Sequence, residues 1–562
     1  MARHDLIVHN GRIRTLDAGS RVVQALGVRA GRIAAAGDDG LVLQGRAPGT
    51  QVVDLQGRTV TPGFFDAHPH MDRHGLKTRG GIPIAHCRSI ADIVEVVREA
   101  AARTANGDWI VLMPMGGPPE DYVHRPEQLR EGRFPDRRDL DRAAPDHPVC
   151  IRSPWGWWTR TPLPTVLNTR ALELAGVTRD TPAPHNVEIV RDAAGEPTGL
   201  FLERNYTPIL EYTLLACVPR FTYEDRMAGV AAGAAAYAAL GTTAAFEGHG
   251  NTPQIIDAWR HVHAAGELPL RMQVPLSIPT AAFDNGRIAD ILHHWADALA
   301  GRGSGDDRLR IEGVCFDVGD PTVARIIGRG YPYEQWAGHF YQSLAHGRFV
   351  ELGVVAARLG LRVSCLVCYE LERVLQAYEA IHAQVPIAER RWVIVHVTQA
   401  SADQIRRIRA LGLVATVTPA FMTMAATRFN LGRLGPEGTP IRALLDAGVP
   451  VALSTDGVPP SMAYAMWQAL ARWDGDAQCT LGDSGLTREE ALRLATTAGH
   501  VLTWDEARRG PLAVGNAADF VVLGEDPVTC DETRLRDLPV LRTFVAGRQV
   551  AAGSVARSGW AA

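Results

Sequence analysis

The chain has 562 residues, of which 46% are hydrophobic and 21% are charged, as is usual for soluble globular enzymes. This length exceeds one ordinary domain but fits a barrel with insertions and a smaller unit. The formal net charge of −4 gives no reason to expect nucleic acid or an acidic membrane surface as a partner.

No stretch of the sequence predicts export or a membrane span. The opening residues, MARHDLIVHNGRI, lack the apolar run of a signal peptide, and no later segment is long enough to cross a bilayer. The eight cysteines are scattered, which is typical of free thiols in a reducing compartment. We therefore expect a cytoplasmic protein. Its oligomeric state is left open, with a homo-oligomer as the default expectation.

The two ends of the chain share a pattern of short strands and tight turns. Residues 1–58 contain DLIVHNGRIRTLD and RVVQALGVRAGRIAAAG, and residues 501–562 contain ADFVVLGEDP and PVLRTFVAGRQVAAG. The pairs Asn10-Gly11 and Ala30-Gly31 lie between apolar runs, which predicts hairpin turns. We expect the two ends to pair into one small β-sandwich.

The stretch from Thr59 to Asp72, TVTPGFFDAHPHMD, begins as an apolar run and ends in His68-x-His70. Alternate residues of a strand point the same way, so the two imidazoles share one face. Neutral histidine is a preferred zinc ligand, so this pair predicts half of a divalent metal site. The alternative is two solvated histidines at a strand end.

Residues 80–220 interrupt the rhythm of strands and helices. They are rich in Pro, Trp and Arg, as in RSPWGWWTRTPLPTVLNTRAL, and predict a long insertion after the first barrel strand. We expect it over the barrel mouth, where insertions usually shape substrate pockets. Trp155, Trp157 and Trp158 form either a platform for a bulky or aromatic substrate or a plug that ties the insertion to the barrel.

Short apolar segments then alternate with amphipathic helical patterns. The segments are residues 242–247, 270–278, 310–318, 361–367, 391–397, 413–419 and 450–456. With the opening strand they number about eight, which predicts an α/β fold, the (β/α)8 or TIM barrel, over residues 59–500. Catalytic groups of that fold lie at the C-terminal ends of strands. The candidates at or near such ends are His70, Glu247, His396 and Asp456.

Several motifs resemble one enzyme superfamily. PGFFDAHPH resembles the first-strand motif of the amidohydrolases, PGxxDxHxH. Further segments resemble metal-dependent amidohydrolase family 3, in that family's order: NTRALELAGVTRDTP, GEPTGLFLE, VIVHVTQASADQI and VALSTDGVPPS. The resemblance covers nearly the whole chain and implies a (β/α)8 barrel with a β-sandwich built from both termini. It also implies metal-activated water that attacks an amide-type carbon–nitrogen bond.

The resemblance implies roles for particular residues. His68, His70 and Asp456 match the first metal site, and His396 matches the histidine of the sixth strand. Asp456 also matches the carboxylate that acts as general base at the end of the last strand. Glu203 matches a carboxylate that the family keeps near the site, and we take it as a candidate substrate contact together with His249, two residues after Glu247.

The sequence departs from the family's usual two-metal site. The bridging lysine of the fourth strand is replaced by Cys315, and Lys77 is the only lysine in the chain. The fifth-strand histidine is missing, since no histidine occurs between His346 and His382. We therefore expect a mononuclear site with one zinc ion per chain, or a site with unusual ligands, and no nucleotide cofactor. Cys315 and Glu247 are the candidate substitutes, although each is also a common structural residue.

Three functions remain open at this point. The first is a metal-dependent hydrolase that cleaves the amide-type bond of a bulky or aromatic small molecule, with Asp456 as general base. The second is a non-hydrolytic metal enzyme of the same fold, such as a decarboxylase, isomerase or cyclase, because an altered site need not make hydroxide. The third is a metal-free binding relative. The joint presence of the three histidines and Asp456 argues against the third.

Overall fold

The computed structural model describes residues 3–77, 81–117, 122–154, 159–204, 209–280, 283–319, 343–367, 370–423, 438–475 and 478–552. Within these ranges, a parallel sheet of eight strands lies at the centre of the molecule. In chain order, strands β1 to β8 are Phe64–Asp66, Thr242–Phe246, Arg271–Ser277, Leu309–Cys315, Val363–Leu366, Val393–Val395, Val414–Val417 and Val451–Leu453. Each strand pairs with the next along the chain, and Ser304–Gly305 adds an antiparallel pair to β4.

Hydrogen bonds just beyond β1 and β8 bring the first and last strands together. The Ala67 amide donates to the Leu453 carbonyl at 3.1 Å, and the Asp456 amide donates to the His68 carbonyl at 2.8 Å. The strands are buried on both faces, as parallel strands covered by helices usually are. The predicted (β/α)8 barrel is confirmed.

Helices alternate with these strands. From the helix that precedes β2 onward, they are Tyr223–Ala239, Pro253–Ala264, Asn285–Leu299, His346–Arg358, Leu371–His382, Ala402–Ala410, Ile441–Asp446, Met462–Ala471 and Arg488–Ala495. Side-chain caps explain several starts. Thr222, Ser401 and Thr487 each accept from the third backbone amide of the helix that follows, in a capping box.

The chain ends form two further sheets. One has four strands in the order Arg32–Gly37, Ala25–Arg29, Leu6–His9 and Gln51–Asp54. The other has six, in the order Arg548–Ala552, Val540–Val545, Phe520–Leu523, Thr59–Pro62, Arg12–Arg14 and Val22–Val23. One buried apolar cluster joins both sheets, with Leu6 and Val28 from the first and Val60 and Phe544 from the second. This is the predicted sandwich of both termini, with short helices at Asp39–Leu43 and Glu532–Leu535. The predicted domain boundaries at residues 58 and 500 stay predictions.

One of the two predicted hairpins is present. The strands on either side of Ala30-Gly31 pair antiparallel, and both turn residues are left-handed, with φ of 49° and 75°, as a two-residue hairpin turn requires. The hairpin predicted at Asn10-Gly11 is wrong. Its flanking strands belong to different terminal sheets, because each finds a parallel partner much later in the chain.

The insertion has a sheet of its own. Five strands lie in the order Val187–Arg191, Pro197–Glu203, Leu163–Leu167, Val149–Ile151 and Ile110–Leu112. Its helices, counting the one that follows His70, are Met71–Lys77, Ile90–Ala101, Arg137–Asp141, Thr169–Ala175 and Ile209–Tyr212. Its location over the barrel mouth stays a prediction.

Short elements complete the described chain. Two-stranded pairs join Asp317–Val318 to Ser343–Leu344 and Trp473–Asp474 to Cys479–Thr480, and 3-10 helices span Pro126–Gln128, Pro419–Thr423 and Ala498–Thr503. In the part of the chain that the structure describes, no helix combines the length and apolarity that a bilayer crossing needs.

Candidate metal centre

Two histidines follow β1 and face each other. His68 is fully buried and His70 keeps 13% of its side chain exposed. Their Nε2 atoms are 2.9 Å apart, and the rings meet edge to face with centroids 4.3 Å apart. The sequence predicted that strand alternation would place both imidazoles on one face. Instead both residues lie past the end of β1, and the backbone of His70 is left-handed, with φ of 52°. The two ring nitrogens nevertheless meet at one point.

Asp456, which follows β8, reaches the same point. Its Oδ1 lies 3.0 Å from His70 Nε2 and 3.4 Å from His68 Nε2. Among the described residues, ligand atoms of these three side chains form a group in which all lie within 4.8 Å of one another. His396, which follows β6, approaches the same carboxylate oxygen, with Nε2 at 3.6 Å. The four side chains that the sequence singled out therefore converge.

Unusual backbone angles aim three of these side chains. His70, His396 and Asp456 have φ of 52°, 64° and 56°, in the left-handed region that residues other than glycine rarely occupy. Such angles cost free energy and are concentrated at functional sites, where the surrounding structure holds them. Here they turn the chain just after β1, β6 and β8, so that side chains of separate strands meet.

The end of β2 supplies Glu247 and His249. Glu247 Oε1 lies 3.1 Å from His70 Nδ1, the ring nitrogen opposite the one that faces Asp456, and its Oε2 accepts from the His70 amide at 3.2 Å. The buried His249 ring has its centroid 5.6 Å from that of His68 and 5.3 Å from that of His70. Between them, Gly248 lacks a Cβ that would lie 2.5 Å from His68 Nδ1, so only glycine leaves room for that imidazole.

Sequence reasoning missed the role of Asp66. This fully buried carboxylate accepts from the His68 amide at 3.0 Å and from the Thr455 amide at 3.1 Å, and it also accepts from the Thr455 hydroxyl at 2.5 Å. It therefore ties the His68 segment to the Asp456 segment. Burial raises the pKa of Asp66 to about 6, against the hydrogen bonds from Thr455 and His68. A signal was present, because Asp66 is the aspartate of the quoted motif PGFFDAHPH.

The histidines of the centre differ in the direction in which their pKa values are shifted. Burial, aided by the neighbouring His70, lowers the pKa of His68, and burial holds the pKa of His396 well below its usual value. Burial also acts to lower the pKa of His70, but the carboxylates of Glu247 and Asp456 outweigh it and raise that pKa to about 9. For Asp456, hydrogen bonds with His68 and His70 outweigh burial and hold its pKa well below the usual value.

These donors fit a divalent metal ion. Zinc bonds of about 2.0–2.1 Å in tetrahedral geometry place two ligand atoms roughly 3.3 Å apart. The three atom pairs of His68, His70 and Asp456 are separated by 2.9, 3.0 and 3.4 Å. Neutral imidazole and ionised carboxylate are the forms that bind metal. The low pKa values of His68 and Asp456 favour these forms, whereas His70, whose pKa is raised to about 9, would have to give up a proton to bind the ion.

The remaining candidates lie apart from this group or outside the description. Cys315 ends β4, buried, with its Sγ donating to the Gly248 carbonyl at 3.7 Å, and it is not one of the three clustered ligands. Glu203 ends a strand of the insertion and accepts from the Leu210 amide at 3.1 Å. Neither contact tests the predicted role. The tryptophans Trp155, Trp157 and Trp158 lie outside the described residues.

Comparison with known proteins identifies the family. A family model described as "Amidohydrolase family" matches residues 51–551. The chain belongs to the amidohydrolase family. An N-substituted formamide deformylase from Arthrobacter pascens is 28% identical over 578 aligned residues, which cover 97% of this chain and 97% of that amidohydrolase. The family model and this relative confirm the predicted class, metal-dependent amidohydrolases that act on carbon–nitrogen bonds other than peptide bonds.

Solved structures of low sequence identity share the fold. An uncharacterized metal-dependent hydrolase from Pyrococcus horikoshii OT3 is 20% identical, with a TM-score of 0.67 over 94% of this chain and 99% of that one. An adenosine deaminase from Xanthomonas campestris, solved with bound zinc, is 15% identical, with a TM-score of 0.53 over 98% of this chain and 93% of that one. These likenesses support the amidohydrolase barrel.

Proposed function

We propose that this amidohydrolase hydrolyses the amide-type carbon–nitrogen bond of a bulky or aromatic small molecule, with N-substituted formamides as the first class to test. The convergence of His68, His70 and Asp456 on one point, at the ends of β1 and β8, carries the proposal. The formamide class is taken from the deformylase that is similar along its whole length.

His68, His70, Asp456 and His396 are the residues that would hold one zinc ion. A zinc ion would polarise the scissile carbonyl and lower the pKa of bound water towards neutrality. The fourth-strand lysine of the usual two-metal site has no counterpart, since β4 ends in Cys315. One ion per chain is therefore the proposed stoichiometry.

Asp456 is the proposed general base. Its side chain is buried, with 4% exposed, and is held ionised by the two histidines, so an oxygen atom is available as a proton acceptor beside the place where the ligand atoms converge. The same carboxylate can then return the proton to the departing amine, as positioned carboxylates do in acid–base catalysis. Asp66 holds the backbone at His68 in register with the backbone at Thr455, next to Asp456.

Glu247 contacts His70 on the side of the ring that faces away from the candidate metal centre. It faces the ring nitrogen of His70 that points away from His68 and Asp456. A carboxylate in that place fixes the tautomer and orientation of a ligating imidazole. We therefore assign Glu247 an orienting role, in place of the direct metal contact that its position at a strand end suggested.

Metal content measured together with turnover tests the proposal. Zinc-supplemented protein should hold about one zinc per chain and release formate and a free amine from N-aryl or N-alkyl formamides. His70→Ala should lose zinc and activity together. Asp456→Asn should lower kcat roughly 100- to 10,000-fold, the usual contribution of a general base.

Exposed positions give matched controls for these variants. His185→Ala and Asp403→Asn remove the same side chains from the surface and should leave zinc content and kcat unchanged. Protein that holds no zinc after supplementation would refute the proposal. Full activity in Asp456→Asn with zinc bound would refute its role as base, and product that contains no added water would favour a non-hydrolytic enzyme.

A further inference from the structure

Two hydroxyl groups, linked by a hydrogen bond, lie on the Nδ1 side of His396. His396 directly follows β6, Thr418 directly follows β7 and Ser454 directly follows β8, so adjacent parallel strands deliver the three side chains to one edge. His396 Nδ1 lies 2.7 Å from Thr418 Oγ1, and that oxygen lies 2.6 Å from Ser454 Oγ. All three side chains are buried, with at most 5% exposed.

The contact of Ser454 with the backbone bears on which group donates in each of these hydrogen bonds. The Ser454 hydroxyl donates to the Val417 carbonyl at 3.2 Å. With the Ser454 hydrogen on Val417, Ser454 accepts from Thr418, because a hydroxyl carries one hydrogen. Thr418 Oγ1 then accepts from His396 Nδ1, and this order of donors places the proton of the neutral imidazole on Nδ1. The reverse order, in which Ser454 donates to Thr418 and Thr418 donates to Nδ1, would place that proton on Nε2.

The Nδ1–H tautomer leaves the Nε2 lone pair on the other side of the ring. Nε2 lies 3.6 Å from Asp456 Oδ1, the atom that His68 and His70 also approach. The ring is further held between His68, at 4.3 Å between centroids, and Phe421, at 5.1 Å. The ring of His396 is therefore held in place, with Nε2 directed at the candidate metal centre.

We propose that Thr418 and Ser454 are positioning residues, which hold His396 as the Nδ1–H tautomer so that Nε2 can bind the metal. This inference rests on the proposed function, because it concerns the same centre. It adds two residues for which the apolar strand pattern VATVTP and the segment VALSTD give no separate signal. Partners of the non-ligating nitrogen of a histidine typically change metal affinity 10- to 100-fold.

The zinc affinity of three variants, two at Thr418 and one at Ser454, tests the proposal and is measured by competition with a chromophoric chelator. Thr418→Val keeps the shape of the side chain but cannot accept from Nδ1, so it should weaken zinc binding 10- to 100-fold. Thr418→Ser restores the hydroxyl and should regain most of the affinity. Ser454→Ala should give an intermediate loss, because Thr418 then lacks its acceptor.

Thr416→Val is the matched control. Thr416 lies on the same strand two residues earlier, and its hydroxyl accepts from the His396 backbone amide at 3.3 Å instead of from the ring. This variant should keep the zinc affinity of the wild type even if it melts at a lower temperature. Equal losses in Thr416→Val and Thr418→Val would show a general packing effect and overturn the proposal.

A spectroscopic readout addresses the tautomer directly. In metal-free protein labelled with nitrogen-15 histidine, the two ring nitrogen shifts of His396, assigned by their loss in His396→Gln, should report a proton on Nδ1. Thr418→Val should move that proton to Nε2 or leave a mixture. An Nε2–H tautomer in the wild type would refute the positioning role while zinc binding, and with it the proposed function, still stands. Wild-type protein that binds no zinc would overturn both.

Discussion

His70 lies between two carboxylates, one at each ring nitrogen. Asp456 Oδ1 is 3.0 Å from Nε2 and Glu247 Oε1 is 3.1 Å from Nδ1. Burial acts to raise the pKa of Glu247, but the charge of His70 outweighs it and the pKa is lowered. Without a metal ion the pair is therefore ionic in a buried place, which is costly unless partners compensate. To bind zinc through Nε2, His70 would have to give up a proton. A carboxylate behind a ligating imidazole provides such compensation and raises the basicity of the ligand.

Glu247→Gln tests this orienting role. The amide keeps the size of the side chain but removes its charge, so we expect zinc affinity to fall 10- to 100-fold while the stoichiometry stays at about one. Isothermal titration and elemental analysis measure the two quantities. Glu312→Gln is a control on β4, where the buried carboxylate pairs with Gln273 and Arg362; it should keep the zinc affinity. A fall in stoichiometry from two to one in Glu247→Gln would instead make Glu247 a bridging ligand.

At the scale of elements, two helices pack closely at glycines next to the candidate ligand His70. The helix Met71–Lys77 starts directly after His70 and packs on Tyr223–Ala239, a helix rich in alanine. A Cβ on Gly75 would lie 1.9 Å from the Gly229 carbonyl oxygen, and one on Gly233 would lie 1.8 Å from the Met71 carbonyl oxygen. The backbones are thus in direct contact, so any side chain there must push the helices apart.

Gly233→Ala should therefore destabilise the protein by about 1–3 kcal/mol, the usual cost of overpacking. Because the displaced helix begins next to His70, zinc content should fall as well. Calorimetric melting and elemental analysis measure these effects. Gly347→Ala is the control, since Gly347 lies in the helix His346–Arg358 with no atom within 4 Å of an added Cβ. That change should be neutral or stabilising by up to about 1 kcal/mol, and a Gly233→Ala protein that melts like wild type would contradict the close packing.

At the scale of the whole molecule, the sequence predicts what depends on local pattern. The barrel strands are short apolar runs bounded by helices, so their number and order follow from alternation alone. The candidate metal ligands at strand ends follow from the same pattern and from the motif around His68. Which residues become neighbours in space does not follow from local pattern. The turn at Asn10-Gly11 joins two sheets because its flanking strands pair with Gln51–Asp54 and Thr59–Pro62, well outside the local pattern. Thr418 becomes a partner of His396 only because β6 and β7 are neighbours.

Buried charges join the barrel to the terminal sheets. Arg271 on β3 makes two hydrogen bonds to Asp519, at 2.7 and 3.0 Å, and Asp519 also accepts from the Ala546 amide at 2.7 Å. Near this junction, His500 is buried against the edge of Phe65, with ring centroids 5.0 Å apart. Burial, and then the charge of Arg509, lowers the pKa of His500 to about 4.

This depressed pKa predicts a loss of stability in acid. An unfolded histidine takes up its proton near pH 6.5, whereas folded His500 does so only near pH 4. Between these values the unfolded chain binds more protons, so stability falls as the pH falls through this window. The stabilising contribution of neutral His500 is complete above about pH 6.5, and roughly 3 kcal/mol of it is lost by pH 4.

His500→Gln isolates that contribution, because glutamine has a similar volume and does not titrate in this range. The variant should lose less stability than the wild type between pH 7 and pH 4.5, as measured by urea unfolding at each pH. His185→Gln, at an exposed position, should follow the wild-type pH dependence. Parallel curves for His500→Gln and the wild type would show that folded His500 takes up its proton at the same pH as in the unfolded chain, and that the acid sensitivity arises in the carboxylates of the junction.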